Sequence, residues 1–107
     1  MSEADDLPVL RAAVTDGRVI WHQHALARML ERGITRQEVL STIGVGDVIE
    51  RYPSDRPFPS YLMMAAGTEP IHVLAAADTT TRTCQIVTAY RPDLEHFEAD
   101  LKTRRKR

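Results

Sequence analysis

The polar side chains with the clearest spacing in this sequence lie in the segment WHQHALARMLERGIT, from Trp21 to Thr35. His24, Arg28 and Arg32 follow one another at steps of four residues, so they form one row on a helix that turns about 100° per residue. Arginine presents a planar fork of donors that matches phosphate oxygens, and imidazole titrates near neutral pH. Such a row could bind a phosphate and move a proton. The same spacing is equally typical of the solvated flank of an amphipathic helix.

The predicted helix also carries an apolar stripe, and the basic row lies along the border of that stripe. Border arginines can cover apolar surface with their stems and aim their guanidinium groups across a groove. His22 and His24 are two imidazoles without an obvious third ligand, which is a weak pattern for a metal. We therefore expect neither a metal nor a cofactor. The stripe consists of Ala25, Leu26, Met29 and Leu30.

Two further candidates, His72 and Tyr90, lie on predicted strands that a turn at DTTTR would join into a hairpin. With Thr80 near the centre of the turn, His72 faces Thr88, and Tyr90 lies diagonally beside His72 on the same face of the sheet. A histidine that is simply hydrogen-bonded at the end of a sheet would give the same pattern. The other side chains expected on this face are Leu74, Ala76 and Ile86.

A proline-rich turn adds a third group of polar and aromatic side chains. Tyr52, Asp55, Arg56 and Tyr61 lie around PSDRPFP, whose three prolines exclude a continuous strand. Aromatic and arginine side chains on a stiff loop suit the stacking of a nucleic-acid base, and they also suit simple turn-making.

The elements that must position these residues are helical in the first half and mostly strands in the second. Thr35 and Glu38 have capping-box spacing, and Gly33 is expected to end the helix before them. Consecutive strands with short turns pair antiparallel, so we predict an α+β fold with helices on one face of a sheet of four to five strands. The predicted helices cover residues 3–16, 23–32, 35–43 and 92–102, and the predicted strands cover 18–22, 47–52, 60–66, 71–77 and 84–90.

Length and composition limit the classes of protein that this chain can represent. Its 107 residues with 43% hydrophobic residues predict a single domain, 1–107, with a modest core. The tail 102–107 holds five of the 14 basic residues, so the other 101 residues hold nine basic and 15 acidic groups. A strongly basic nucleic-acid-binding body is therefore not expected. A lone cysteine, an acidic N-terminus and no long apolar run predict a cytoplasmic protein without disulfides or membrane spans.

The sequence resembles the bacterial domain of unknown function 4258. The resemblance rests on HALARMLERGITRQEVLSTIGVGDVIERYPSDRPFPSYLMM, followed by PIHVLAAAD and VTAYRPD, and it covers about residues 18–97. The acidic first helix, 3–16, and the basic tail, 102–107, lie outside it. That family is similar to the RelE/ParE-like toxins, which implies a twisted antiparallel sheet with helices packed on it. The recurring polar positions of the family fall here on His24, Arg28, Arg32, Tyr61, His72 and Tyr90.

The resemblance implies a toxin-like, metal-independent endoribonuclease of a toxin–antitoxin system, with RNA or the ribosome and a cognate antitoxin as partners. In that reaction a ribose 2′-hydroxyl attacks the adjacent phosphorus, so a base, an acid and cations are required. The expected roles are catalysis for His24, His72 and Tyr90, phosphate binding for Arg28 and Arg32, and base stacking for Tyr61. The acidic body departs from this pattern, because phosphate neutralisation dominates nucleic-acid affinity. One alternative is a non-catalytic protein or nucleic-acid interaction module on the same scaffold. Another is a purely structural domain, in which His24 and His72 would be far apart and separately buried.

Overall fold

Three helices and five strands form the part of the chain that the computed structural model describes, residues 6–67 and 69–106. The first helix begins later than predicted, and residues 3–5 of that prediction lie outside the described residues. In chain order the elements are α1 (Leu7–Thr15), β1 (Val19–Trp21), α2 (Gln23–Arg32), α3 (Arg36–Val45), β2 (Asp47–Tyr52), β3 (Ser60–Met64), β4 (His72–Asp78) and β5 (Thr83–Tyr90).

The five strands form one open sheet in the order β1-β5-β4-β3-β2. The predicted α+β class is confirmed, and four strands pair antiparallel as expected. The prediction of a wholly antiparallel sheet is wrong for β1, which runs parallel to β5 with Val19 opposite Cys84 and Trp21 opposite Ile86. No short turn joins these two strands, so the hairpin rule does not constrain their relative direction.

All three helices pack on one side of the sheet, which we call the helix face. Side chains of β3 and β4 alternate between the two sides, so Met63, Val73 and Ala75 point to the helix face and Leu62, His72 and Leu74 point away from it. We call this second side the far face. The helices contribute Leu10, Ala13, Ala25, Met29, Val39 and Ile43 to the core over the helix face.

The ends of α2 and α3 follow the predicted local chemistry. Gly33 adopts a left-handed conformation, with φ of 65°, and ends α2. The hydroxyl of Thr35 accepts from the backbone N–H of Glu38 at 3.1 Å, and the Glu38 carboxylate accepts from the Thr35 N–H at 2.9 Å. The predicted capping box is confirmed. Leu30, however, is 84% exposed and does not belong to the buried stripe of α2, because the sheet contacts only the narrower side that carries Ala25 and Met29.

The predicted helix over 92–102 is wrong, because this segment forms consecutive turns. Asp93 and Asp100 each accept two backbone N–H groups with a side-chain oxygen, which satisfies donors that a helix would have used. An isolated bridge joins Phe97 to Arg104, and Phe97 is buried. We call residues 92–106 the C-terminal segment.

The β4–β5 register also differs from the prediction. His72 lies opposite Tyr90, and Thr88 lies opposite Leu74. An irregularity between Leu74 and Ala75 shifts the pairing, so that Ile86 pairs with Ala75 and points to the helix face. The prediction that Ile86 shares a face with His72 is therefore wrong.

Candidate functional site

His72 and Tyr90 form the centre of a polar cluster on the far face. The backbone carbonyl of Leu101 lies 2.6 Å from His72 Nε2 and can only accept, so Nε2 carries the proton. The neutral imidazole then accepts at Nδ1 from the Tyr90 hydroxyl, 3.2 Å away. Both ring nitrogens are therefore engaged, and His72 has no exposed surface.

Burial determines the protonation of this pair. It lowers the pKa of His72, against the opposing effect of the Leu101 carbonyl, so the ring is neutral at neutral pH. Burial also raises the pKa of the Tyr90 phenol, and the positive charge of Arg104 opposes that rise. Tyr90 thus stays protonated and serves as a hydrogen-bond donor.

The C-terminal segment covers this cluster and was not foreseen as part of the site. The ring of Phe97 packs edge-on against His72, with centroids 4.6 Å apart. Arg104 lies over the Phe97 ring at 4.9 Å and donates from Nε to both carboxylate oxygens of Glu50, at 2.8 and 3.0 Å. The spacing of this segment predicted a helix over 92–102. The contact between Phe97 and His72 is therefore seen only in the folded structure.

Beside the cluster, an open groove of about 440 Å³ is lined by Arg32, Tyr90, Arg91 and Asp93. Arg32 crosses from α2 to β5, where one terminal nitrogen donates to the Ala89 carbonyl at 2.8 Å. This bond fixes the guanidinium at the mouth of the groove. The structure thus brings Arg32 and Tyr90 together, as the sequence predicted, and adds Arg91. We call this space the arginine groove.

The two arginines of the groove differ in how far their charge is already neutralised. Arg91 donates to the Gly33 carbonyl at 3.2 Å and lies 3.8 Å from Glu38 and 3.9 Å from Glu69. Arg32 contacts the Ala89 carbonyl and, at 3.5 Å, the Thr88 hydroxyl, and no carboxylate of the described residues forms an ion pair with it. Arg32 is therefore the stronger anion-binding group.

A second cavity, of about 270 Å³, is also lined by Tyr90 and is here called the tyrosine cavity. Its apolar lining consists of Leu62 and Leu74, and its polar lining consists of Tyr52, Asp55, Tyr90 and Arg104. Tyr52 donates to Glu50, and its pKa is raised by burial and by that carboxylate. Hydrogen bonds to Tyr52 and Glu50 raise the pKa of Arg104, so its guanidinium is a permanent cation.

Comparison with known proteins identifies the family but not an activity. The family model described as Domain of unknown function (DUF4258) matches residues 21–91, about two thirds of the chain. The chain belongs to the DUF4258 family. No curated protein and no solved structure matches it. Within the DUF4258 match lie Arg32, His72, Tyr90 and Arg91, whereas the C-terminal segment lies outside it.

The DUF4258 region also contains three predicted site residues that the structure does not bring to the far face. His24 is exposed on α2, and Arg28 on the same helix pairs with Glu31 at 3.1 Å; neither lines the arginine groove. Tyr61 lies in the core over the helix face, where its hydroxyl accepts from the Asp6 N–H at 3.0 Å. It is 6% exposed, too little for a base to stack on it.

Groups that could bind a metal are sparse in the described residues. The carboxylates of Asp93 and Glu95 and the imidazole of His96 place one ligand atom each within 4.8 Å of the others. All three side chains are exposed, and Asp93 is already bonded to His96 at 2.9 Å.

None of the described helices is long and apolar enough to span a membrane.

Proposed function

We propose that this protein is a non-catalytic interaction module that binds single-stranded RNA along the far face of its sheet. The observation that carries this proposal is the arginine groove, whose lining brings Arg32 and Arg91 together with Tyr90. Guanidinium groups bind phosphate oxygens, and an adjacent aromatic ring offers a stacking surface for an unpaired base.

The same geometry favours binding over cleavage. A general base must lie within hydrogen-bond reach of the 2′-hydroxyl, either directly or through one water. The Nδ1 lone pair of His72 is taken by Tyr90, and its ring is sealed from solvent. The groove also contains the Asp93 carboxylate, but its hydrogen bond to His96 lowers its pKa and makes it a weak base. This supports the interaction module over the toxin-like ribonuclease.

The charge of the surroundings indicates a modest affinity. Glu38 and Glu69 compete with phosphate for Arg91, and residues 1–101 hold 15 acidic groups against nine basic ones. Because phosphate contacts supply most of non-specific affinity, we expect dissociation constants in the micromolar range or weaker at physiological salt.

Fluorescence anisotropy with a labelled 12-nucleotide RNA tests the proposal. We expect Arg32→Ala to weaken binding about tenfold, as for the loss of one charged hydrogen-bonding group. Arg28→Ala is the matched control, because Arg28 lies on the same helix outside the groove and pairs with Glu31. It should change the affinity less than about twofold, in keeping with an exposed pair.

Three results would overturn the proposal. Equal losses in the two variants would show that the groove is not the binding surface. Binding of an acidic peptide in place of RNA would assign a protein partner. Cleavage of the RNA, followed on a denaturing gel and lost in His72→Phe, would restore the ribonuclease.

A further inference from the structure

We infer that the tyrosine cavity is a pocket for one unstacked guanine base of the bound RNA. The inference rests on the proposed function and names what the far face would prefer within an RNA strand. It follows from the position, the lining and the polar edges of the cavity.

The position of the cavity matches the construction of a nucleotide. Tyr90 lines both the arginine groove and the tyrosine cavity, so the two spaces meet at one side chain. In a nucleotide, one sugar separates the phosphate from the base. A strand whose phosphate lies against Arg32 can therefore place a neighbouring base in the cavity next to Tyr90.

The lining of the cavity suits a flat ring. Leu74 supplies apolar surface from β4, a middle strand of the sheet, and Tyr52 and Tyr90 supply aromatic surface. Leu62 also borders the cavity but is only 2% exposed. Sequence-specific recognition of RNA depends on splayed-out bases that stack on such side chains. The volume of about 270 Å³ is just below the range of about 300–1,000 Å³ for drug-sized ligands, so it fits a single ring system.

The polar edges of the cavity distinguish among the four bases. Arg104 donates from Nε to Glu50 and is also hydrogen-bonded to Tyr52 and Tyr90, so its position is fixed. Because a guanidinium has five N–H donors, terminal donors remain for a ligand. Asp55 bonds to the Ser60 hydroxyl through Oδ2, which leaves its other oxygen to accept. Guanine pairs two acceptors, O6 and N7, with donors at N1 and N2. Arginine is the usual partner of that acceptor pair, and a carboxylate suits the donors.

One polar edge of the cavity lies beyond the family match. Arg104 belongs to the C-terminal segment, outside residues 21–91, while Asp55 and the residues of the arginine groove other than Asp93 lie inside them. Tyr90 is shared by the two spaces, but Arg32 and Arg91 line the groove and not the cavity, so phosphate binding and base preference can be tested with separate variants.

The test measures the anisotropy of four labelled 12-nucleotide RNAs, namely oligouridine and the same strand with one central G, A or C. We expect the wild-type chain to bind the G strand about tenfold more tightly than oligouridine, as for one well-formed bidentate base contact. Arg104→Gln and Asp55→Asn should each reduce that ratio below about twofold and leave oligouridine binding within about twofold. Arg105→Gln is the control, because Arg105 bonds to the C-terminal segment itself, at Leu94 and Glu98.

The outcomes separate this inference from the proposed function. If all four strands bind equally, the base pocket is wrong and the RNA-binding module stands. If the G preference survives in both Arg104→Gln and Asp55→Asn, the cavity is not its source. If no strand binds, both proposals fail. Circular dichroism of each variant ensures that a lost preference does not reflect unfolding.

Discussion

At the scale of single residues, His72 on the far face forms two hydrogen bonds, one to Tyr90 of β5 and one to Leu101 of the C-terminal segment. His72→Phe keeps an aromatic ring but leaves the Leu101 carbonyl and the Tyr90 hydroxyl without this partner. Because an unsatisfied buried group costs about 1–3 kcal/mol, we expect the free energy of unfolding to fall by about that amount. Urea unfolding followed by circular dichroism measures it. His24→Phe, at an exposed site, should stay within about 0.5 kcal/mol, and an equal loss there would contradict the assignment.

The buried imidazole also predicts how stability depends on pH. Because the folded state holds the pKa of His72 below 6.5, the unfolded chain binds a proton more readily once the pH falls below 6.5. The contribution of His72 to the free energy of unfolding is thus complete above pH 6.5. It declines as the pH falls toward the folded pKa, by at most about 1.4 kcal/mol per pH unit. Urea midpoints between pH 7 and 5 should fall more steeply for the wild type than for His72→Phe. Parallel profiles would show that the ring is not held neutral.

The residue scale also shows where spacing stops being informative. Steps of four correctly placed His24, Arg28 and Arg32 on one helix, but only Arg32 lies close enough to the end of β5 to enter the groove. Tyr61 and His72 are both strand residues within the family match, and they point to opposite faces of the sheet. The register pairs Tyr61 with Ala75, three residues from His72, and the face of each side chain is known only once this register is known.

At the scale of elements, most of the fold could be predicted because local patterns determine it. The capping box at Thr35 and the left-handed end of α2 at Gly33 depend on residues within or next to one element. The C-terminal segment could not be predicted from its helical spacing. Two aspartate side chains stabilise turns in place of a helix, and Phe97 packs against His72 of the distant strand β4. The parallel pairing of β1 likewise depends on contacts between residues far apart in the chain.

Two glycines near the end of α3 should respond to alanine substitution with opposite changes in stability. A Cβ at Gly46 would lie 2.9 Å from the Met64 carbonyl oxygen and closer still to the Thr42 carbonyl oxygen, both backbone atoms. We expect Gly46→Ala to destabilise the fold by about 1–3 kcal/mol, as for overpacking. A Cβ at Gly44 meets no heavy atom within 4 Å, so Gly44→Ala should stabilise by about 0.5–1 kcal/mol. Thermal unfolding of both variants tests the pair, and a stable Gly46→Ala protein would contradict the close approach.

At the scale of the whole molecule, the distribution of charge bears on which basic residues would contact phosphate in the proposed RNA complex. Lys102, Arg104 and Arg105 already lie near Asp47, Glu50 and Glu98 respectively, at 3.9, 2.8 and 3.4 Å. Much of the tail's positive charge is thus balanced by carboxylates within the chain. The guanidinium of Arg32, which forms no ion pair with a carboxylate of the described residues, would be a more effective phosphate partner.

This distribution predicts a shallow salt dependence of RNA binding. Each phosphate neutralised on a single strand contributes about −0.7 to the slope of log K against log salt, so the two arginines of the groove should give a slope of about −1.4. Arg32→Ala should make the slope shallower by about 0.7. Lys106→Ala should leave it unchanged, because Lys106 is exposed and does not line the arginine groove. Anisotropy titrations from low to physiological salt measure both slopes. A much steeper wild-type slope that Lys106→Ala reduces would place the RNA on the tail.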